Sequence, residues 1–456
     1  MINDKGTSWR WVNNTIVVET PERPLKQKNV LKLKVPKIDV IHMGFVGLGN
    51  RGIRAVKRYV CIPGTKIVAL CDFDKNNIEK CFNTLNSNSL FNVDSYYGEK
   101  GFEELCKRND IDLVYVATDW LNHFPVAKCA LENDKNVAVE VPAALTLKEC
   151  WELVDLSEKH RKHCIMLENC CYDRFVMNTL NMVQNGVFGE IIKAQGAYIH
   201  YLSPNFISPK ENGVADKLNW RLDYNMRHRG DVYATHGIGP IAQALNIHRG
   251  DRMKLLVAMD TKSFTGKYLV ERKTGCICNY FRNGDHTVTL IRTELGKLIE
   301  IQHNVMTPQP YTRLYQLTGT KGFVNKYPVE SYVFNKEQMI NLGLNVDNVD
   351  ECSILSENNC QVLVKRFEHP ILKMYDKILE QVEENDRHNV LMDFRLVYCL
   401  QNGLPLDIDV YDLAEWCCLA ELGELSMDNG SVPVKIPDFT RGDWNKIKGY
   451  SCEIVT

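Results

Sequence analysis

Several features are missing from this chain of 456 residues. No apolar run approaches the ~20 residues that a membrane-spanning helix needs. No charge of one sign prevails, since 55 Lys and Arg stand against 57 Asp and Glu for a formal charge of −2. That leaves no field for a phosphate backbone, so nucleic acid is not expected as a main partner. There is no low-complexity tract and no repeat of solenoid period. Cysteine, by contrast, is plentiful at 17, but Cys170-Cys171, Cys276-Ile277-Cys278 and Cys417-Cys418 lack the paired spacing of a zinc site, and no metal is expected. An odd number of cysteines spread through apolar segments reads as buried free thiols in a reducing compartment. Residues 1–20 carry charges and tryptophans where an export signal would be apolar. The cytoplasm is therefore expected, with the periplasm left open if a signal has been removed.

What is present is a globular composition, 45% hydrophobic and 25% charged, enough for sizeable cores. Length alone suggests about three domains at roughly 150 residues each, whereas the pattern along the chain suggests two. Residues 1–38, with Pro21, Pro24 and Pro36 and no helical period, read as an extended arm. From 39 to 170, strand candidates at 39–46, 66–71, 112–117, 136–141 and 164–168 are separated by helical stretches. These begin at 53 and end before Pro63, then recur at 76–85, 101–108, 124–132 and 147–160. Such alternation predicts βαβ units and a parallel sheet. From 171 to 456 the strand candidates follow one another, at 191–201, 254–258, 276–281, 286–293, 297–302 and 313–318. Thr287-Val288-Thr289-Leu290-Ile291 alternates as a strand with one buried face does. Helices return at 371–384, 389–401 and 410–425.

The first strand runs into Gly47-Leu48-Gly49-Asn50-Arg51-Gly52. Glycines at this spacing let backbone approach a pyrophosphate, which the next helix N-terminus stabilises. Asp72 closes the second strand about 20 residues on, where a carboxylate holds the adenosine ribose hydroxyls and repels a 2′-phosphate. NAD is expected over NADP, with Arg51 the one nearby cation arguing otherwise. The fold class is thus α/β: an N-terminal Rossmann parallel sheet over 39–170, then an α/β domain over 171–456 with a large, mostly antiparallel open sheet.

Loops at the C-terminal ends of parallel strands face the ligand crevice. Thr118-Asp119-Trp120-Leu121-Asn122-His123 falls there, with Trp120 and His123 beside the nicotinamide half, or with Asp119 or Asn122 simply capping a helix. Glu140-Val141-Pro142-Ala143-Ala144 and Glu168-Asn169-Cys170-Cys171-Tyr172 follow the next two strands. The densest constellation is Asn219-Trp220-Arg221 with the stretch from Arg229 to Pro240. There Tyr233 and His236, three apart, share a helix face and offer a phenol and an imidazole for proton transfer on a polyol. His42 and His248 read as satisfied core histidines.

Gly47–Gly52, Asp72 and the Glu-x-Pro after the fourth strand resemble the Gfo/Idh/MocA oxidoreductases. Within that family, Gly47-Leu48-Gly49-Asn50-Arg51-Gly52, Glu140-Val141-Pro142-Ala143, Tyr233-Ala234-Thr235-His236-Gly237 and Pro308-Gln309-Pro310-Tyr311 resemble glycoside hydrolase family 109, known for α-N-acetylgalactosaminidases with tightly held NAD. The likeness runs from about residue 40 to 325 and more loosely to the C-terminus; the arm and 330–365 carry no motif. Sugar dehydrogenases of the wider family place Lys between that Glu and Pro as proton acceptor. Val141 cannot act so, as in the hydrolase subfamily.

The resemblance implies that Gly47, Gly49, Asn50, Arg51, Gly52 and Asp72 hold the pyrophosphate and adenosine ribose. Trp120, His123, Glu140, Val141 and Asn169 would line the rest of the NAD site. Tyr198, Arg221, Tyr233, Ala234, Thr235, His236 and Tyr311 would contact the sugar. It further implies a retaining glycosidase acting on a glycan with terminal α-linked N-acetylgalactosamine. The route is oxidation at C3, elimination, water addition and re-reduction, with His236 and Tyr172 as general-base candidates and Glu140 orienting one of them. A homo-oligomer is implied by the same likeness. An NAD-dependent dehydrogenase releasing NADH, or a non-catalytic NAD-dependent sugar sensor, remains as an alternative.

Overall fold

The computed structural model describes the whole chain except residues 4, 85–91, 204, 205, 207–219, 276, 348 and 456, and the side chains of 273 and 274. Asn219 and the predicted element ends at 85 and 276 lie outside the described residues. The chain opens with a hairpin, β1 (Trp9–Val12) and β2 (Thr15–Val18). Six parallel strands follow: β3 (Ile41–Val46), β4 (Thr65–Asp72), β5 (Asp94–Tyr97), β6 (Leu113–Val116), β7 (Asn136–Val139) and β8 (Cys164–Met166). Their order is β5-β4-β3-β6-β7-β8, so the direction of winding reverses between β3 and β6, where an open α/β sheet forms its ligand crevice. Every residue of β6, β7 and β8 is buried, which is why they are written as unbroken apolar runs rather than as alternation.

The second sheet has eleven strands. It adds β9 (Ile191–Ile199), β10 (Met253–Asp260), β11 (Thr287–Thr293), β12 (Leu298–Asn304), β13 (Thr312–Gly319), β14 (Gly322–Asn325), β15 (Ser331–Asn335), β16 (Cys352–Ile354) and β17 (Val434–Lys435). Pairing is antiparallel except at β12–β9 and β17–β2. Helix Thr235–Ala244 lies directly on β9, and helix Val410–Asp428 packs on β10 and on helix Leu147–His160 of the Rossmann layer. The approach to β9 is set by a glycine pair: a Cβ on Gly196 would meet the Gly237 carbonyl oxygen at 2.1 Å. This contact brings His236 against Tyr198.

The structure adds to or departs from the expected elements in three places. The arm is not merely extended, because β2 pairs with β17 and closes one edge of the large sheet. Residues 277–281 form no strand: Thr265–Thr274 is a helix, and Cys278 N–H donates to the Glu271 side chain instead of to a neighbouring strand. β5 went unread because its residues, Asp94-Ser95-Tyr96-Tyr97, sit largely exposed at a sheet edge. Every described cysteine is free, and no described helix is long and apolar enough to cross a membrane.

Candidate active site

At the crevice, the first and last glycines of the loop are dictated by packing. Gly47 has φ +91°, and a Cβ there would lie 2.5 Å from the Ala117 carbonyl carbon. A Cβ on Gly52 would meet the Gly47 oxygen at 1.9 Å, whereas one on Gly49 would meet nothing within 4 Å. The middle glycine therefore leaves open space where backbone meets a ligand. Gly49 is also the N-cap of helix Asn50–Val60 and provides no side-chain acceptor for it, so the first amides are left for an anion. Asp72 stands beside the loop, accepting from the Leu48 amide at 2.6 Å through one oxygen and from Asp74 N–H at 2.9 Å through the other. A cradle with this spacing fits a dinucleotide.

Next to it a cavity of about 210 Å³ opens between the two sheets. Of the residues singled out by sequence, it gathers Arg51, Trp120, His123, Glu140, Val141 and Asn169 on one side, and Tyr198, Arg221, Tyr233 and His236 on the other. Glu140 accepts from Arg51 Nε at 2.6 Å and from the Tyr115 hydroxyl at 2.9 Å. His123 bridges the two crevice loops, with Nδ1 at 2.8 Å from the Pro142 oxygen and Nε2 at 3.1 Å from that of Thr118; burial lowers its pKa. Trp120 stacks on Tyr233 with ring centroids 5.1 Å apart, and the Arg221 guanidinium lies over both Trp120 and Trp220. Tyr198 and Tyr233 flank the His236 ring at 5.0 and 4.5 Å. Burial pushes the Tyr198 phenol up to about 12 and that of Tyr233 higher still. Both are neutral donors near neutral pH.

His236 Nδ1 lies 2.8 Å from Glu168 Oε1 and 3.5 Å from Cys170 Sγ. Glu168 was read only as part of a cluster, and its partnership with His236, 68 positions away, had no local signal. Arg313 also lines the cavity and was missed, although it lies two residues beyond Tyr311. A β-bulge reaches it: pairing of β13 with β9 slips on both sides of Leu314, and Leu314 and Tyr315 have φ of 56° and 54°. Such a bulge re-aims a neighbouring side chain. Asn389, on helix Arg387–Asn402, accepts from Arg51 Nη2 at 3.2 Å and Asn169 Nδ2 at 2.8 Å.

Other chosen residues lie elsewhere. Gly47, Gly49, Asn50, Gly52 and Asp72 form the nucleotide loop rather than the cavity wall. Ala234 and Thr235 are buried behind it. Tyr311 is 43% exposed, with its hydroxyl accepting from Arg313 Nε. Tyr172 is not among the residues that line the cavity: its ring is buried and its hydroxyl donates to Asp407 at 3.4 Å, beside the Arg395–Asp407 ion pair. Burial, then Asp407, hold that phenol well above its usual range. His248 is a satisfied buried histidine as expected, while His42 is half-buried beside Asp112.

A dinucleotide loop opening onto a polar cavity over a second sheet is the architecture of an NAD-binding α/β protein of the oxidoreductase fold. Residues 41–168 match the oxidoreductase family with an NAD-binding Rossmann fold. Among solved structures, a levoglucosan dehydrogenase in complex with NADH and L-sorbose covers 88% of this chain and 100% of its own, with a TM-score of 0.65 and 14% identity. The myo-inositol dehydrogenase of Lactobacillus casei in complex with NAD(H) and myo-inositol covers 88% and 99%, with a TM-score of 0.56 and 15% identity. These likenesses establish the fold alone. Residues 172–446 match the C-terminal domain of glycosyl hydrolase 109. A family 109 protein of Phocaeicola vulgatus is 64% identical over 447 residues, 98% of this chain and 86% of the relative. One of Porphyromonas gingivalis is 52% identical over 437 residues, 95% and 92% of the two chains. This chain belongs to glycosyl hydrolase family 109, a glycosidase-type enzyme with NAD as its cofactor.

Proposed function

We propose that the chain is a retaining α-N-acetylgalactosaminidase that cleaves its substrate by temporary oxidation rather than by direct displacement. The observation that carries this reading is the cavity beside the nucleotide loop, where His236, Tyr198, Tyr233 and Arg221 face Glu140 and Asn169. Direct acetal cleavage needs two carboxyl groups about 5–9.5 Å apart across the bond. Among the described residues the cavity is lined by one, Glu140, and it is tied to Arg51 and Tyr115. NAD, held by the Gly47–Gly52 loop and Asp72, would supply the hydride chemistry at sugar C3.

The chain's own residues do the rest. Arg51 and Asn169, steadied by Asn389, hold the cofactor side. Trp120, Tyr198 and Tyr233 give the sugar ring aromatic walls, and Arg221 donates to its oxygens. His236 takes the proton released at O3 or C2, while the neutral phenols of Tyr198 and Tyr233 orient hydroxyls. A homo-oligomer belongs to the same reading, since the outer face of β10–β12 exposes Met259, Leu290 and Leu298. The test is a panel of aryl α- and β-glycosides given to protein as purified. Release of aglycone from the α-N-acetylgalactosaminide without added NAD is expected. Stoichiometric NADH without aglycone would replace the glycosidase with a dehydrogenase.

A further inference from the structure

The two nitrogens of His236 face different surroundings. Nδ1 is enclosed with Glu168, which is wholly buried, and with Cys170. Nε2 has no hydrogen-bond partner among the described residues, and the ring lines the cavity. A neutral imidazole carries one proton, and an ionised carboxylate only accepts. With the proton on Nδ1, the Nε2 lone pair is left to the cavity. We propose that Glu168 is the positioning residue of this site: it holds His236 in the Nδ1–H tautomer and steadies the imidazolium formed when Nε2 takes the substrate proton. This role rests on His236 being the base.

Glu168 is held for that task. Its Oε1 also accepts from the Cys170 amide at 3.2 Å, and Arg313 Nη1 lies 3.9 Å from the same oxygen. On the helix that carries His236, a Cβ at Gly239 would lie 3.0 Å from Glu168 Cγ, so the helix backbone closes on the carboxylate. Among the described residues, the other titratable or charged groups around the ring include Cys170 from the loop after β8, Tyr198 from β9 and His200 just beyond it, Tyr233 from its own segment, and the cations Arg221 and Arg313. Glu168 is the carboxylate that meets His236 directly. Removing its charge while keeping its shape should therefore lower the affinity of the imidazole for a proton.

The test uses full-length protein with its bound nucleotide and isotope-labelled histidine. The His236 signal is identified by its loss in His236→Ala and followed by NMR through pH. The unaltered protein should show the Nδ1–H tautomer, and the midpoint should move to lower pH in Glu168→Gln. In kinetics, Glu168→Gln should lose about 10²-fold or more in kcat with KM little changed, and the acid limb of its pH profile should move to lower pH. Glu168→Asp should recover part of the loss. An Nε2–H tautomer in the unaltered protein overturns the proposal even if the variant fails to fold, and so does an unmoved midpoint. Normal turnover by Glu168→Gln when His236→Ala is inactive overturns the positioning role alone. Normal turnover by His236→Ala overturns the base assignment beneath it.

Discussion

His236 gathers the residue-scale chemistry. Its ring is clamped between two phenols that burial keeps protonated, and it lines the cavity across from the nucleotide loop. His236→Ala should lower kcat by roughly 10²–10⁴-fold, the usual size of a general-base contribution, with bound nucleotide retained. Turnover of the purified variant and nucleotide released on denaturation check this; normal turnover would make the histidine a packing residue. The sequence displayed the imidazole and the phenols but not their partners. In Glu168-Asn169-Cys170-Cys171-Tyr172 the phenol attracted the catalytic reading, yet the structure aims Tyr172 at Asp407 and Glu168 at His236. Side-chain direction in a short 3₁₀ turn is decided by what packs around it, and residues as distant as Asp407 leave no trace in the local pattern.

Among the elements, strands buried on both faces and the glycine loop were legible because their physics is local: apolar runs, a left-handed glycine and a carboxylate one strand later. Elements defined by a distant partner were not. The hairpin β1–β2 exists because β17, more than 400 residues on, offers an edge, and Arg313 enters the cavity because β13 is bulged against β9. Helix Val410–Asp428 shows the same dependence energetically. His248 Nδ1 lies 2.8 Å from Glu415 and its Nε2 3.3 Å from Asp409 at the helix N-cap. Burial and Arg249 oppose charge on His248, yet Asp409, Glu415 and Asp412 hold its pKa up at about 10. A group raised above its ordinary 6.5 contributes stability that is whole below about pH 6.5 and is lost as pH climbs through 10. His248→Gln should thus cost on the order of 3–5 kcal/mol at pH 6, as for one broken partner of a buried pair, and distinctly less near pH 10.5. Thermal unfolding of both proteins across that range checks the sign; a gap independent of pH would mean a neutral imidazole.

At the scale of the whole molecule, the site exists only where the two sheets meet. The parallel sheet presents the nucleotide loop, the large sheet presents Tyr198 and Arg313, and helix Arg387–Asn402 places Asn389 between Arg51 and Asn169. This assembly makes the chemistry testable in the product. Elimination requires the C2–H bond to break, and the proton that returns to C2 comes from a base that exchanges with water. Turnover in D₂O should therefore place deuterium at C2 of the released sugar, read by mass spectrometry or NMR. A substrate deuterated at C3 should also react more slowly if hydride transfer limits the rate, although slow product release would hide that effect. The C2 label does not depend on which step is slow. Hydrogen fully retained at C2, from enzyme shown to hold NAD, would mean direct displacement or a base shielded from solvent. A 3-deoxy substrate separates these two, since displacement tolerates loss of the 3-hydroxyl and the oxidative route cannot begin without it.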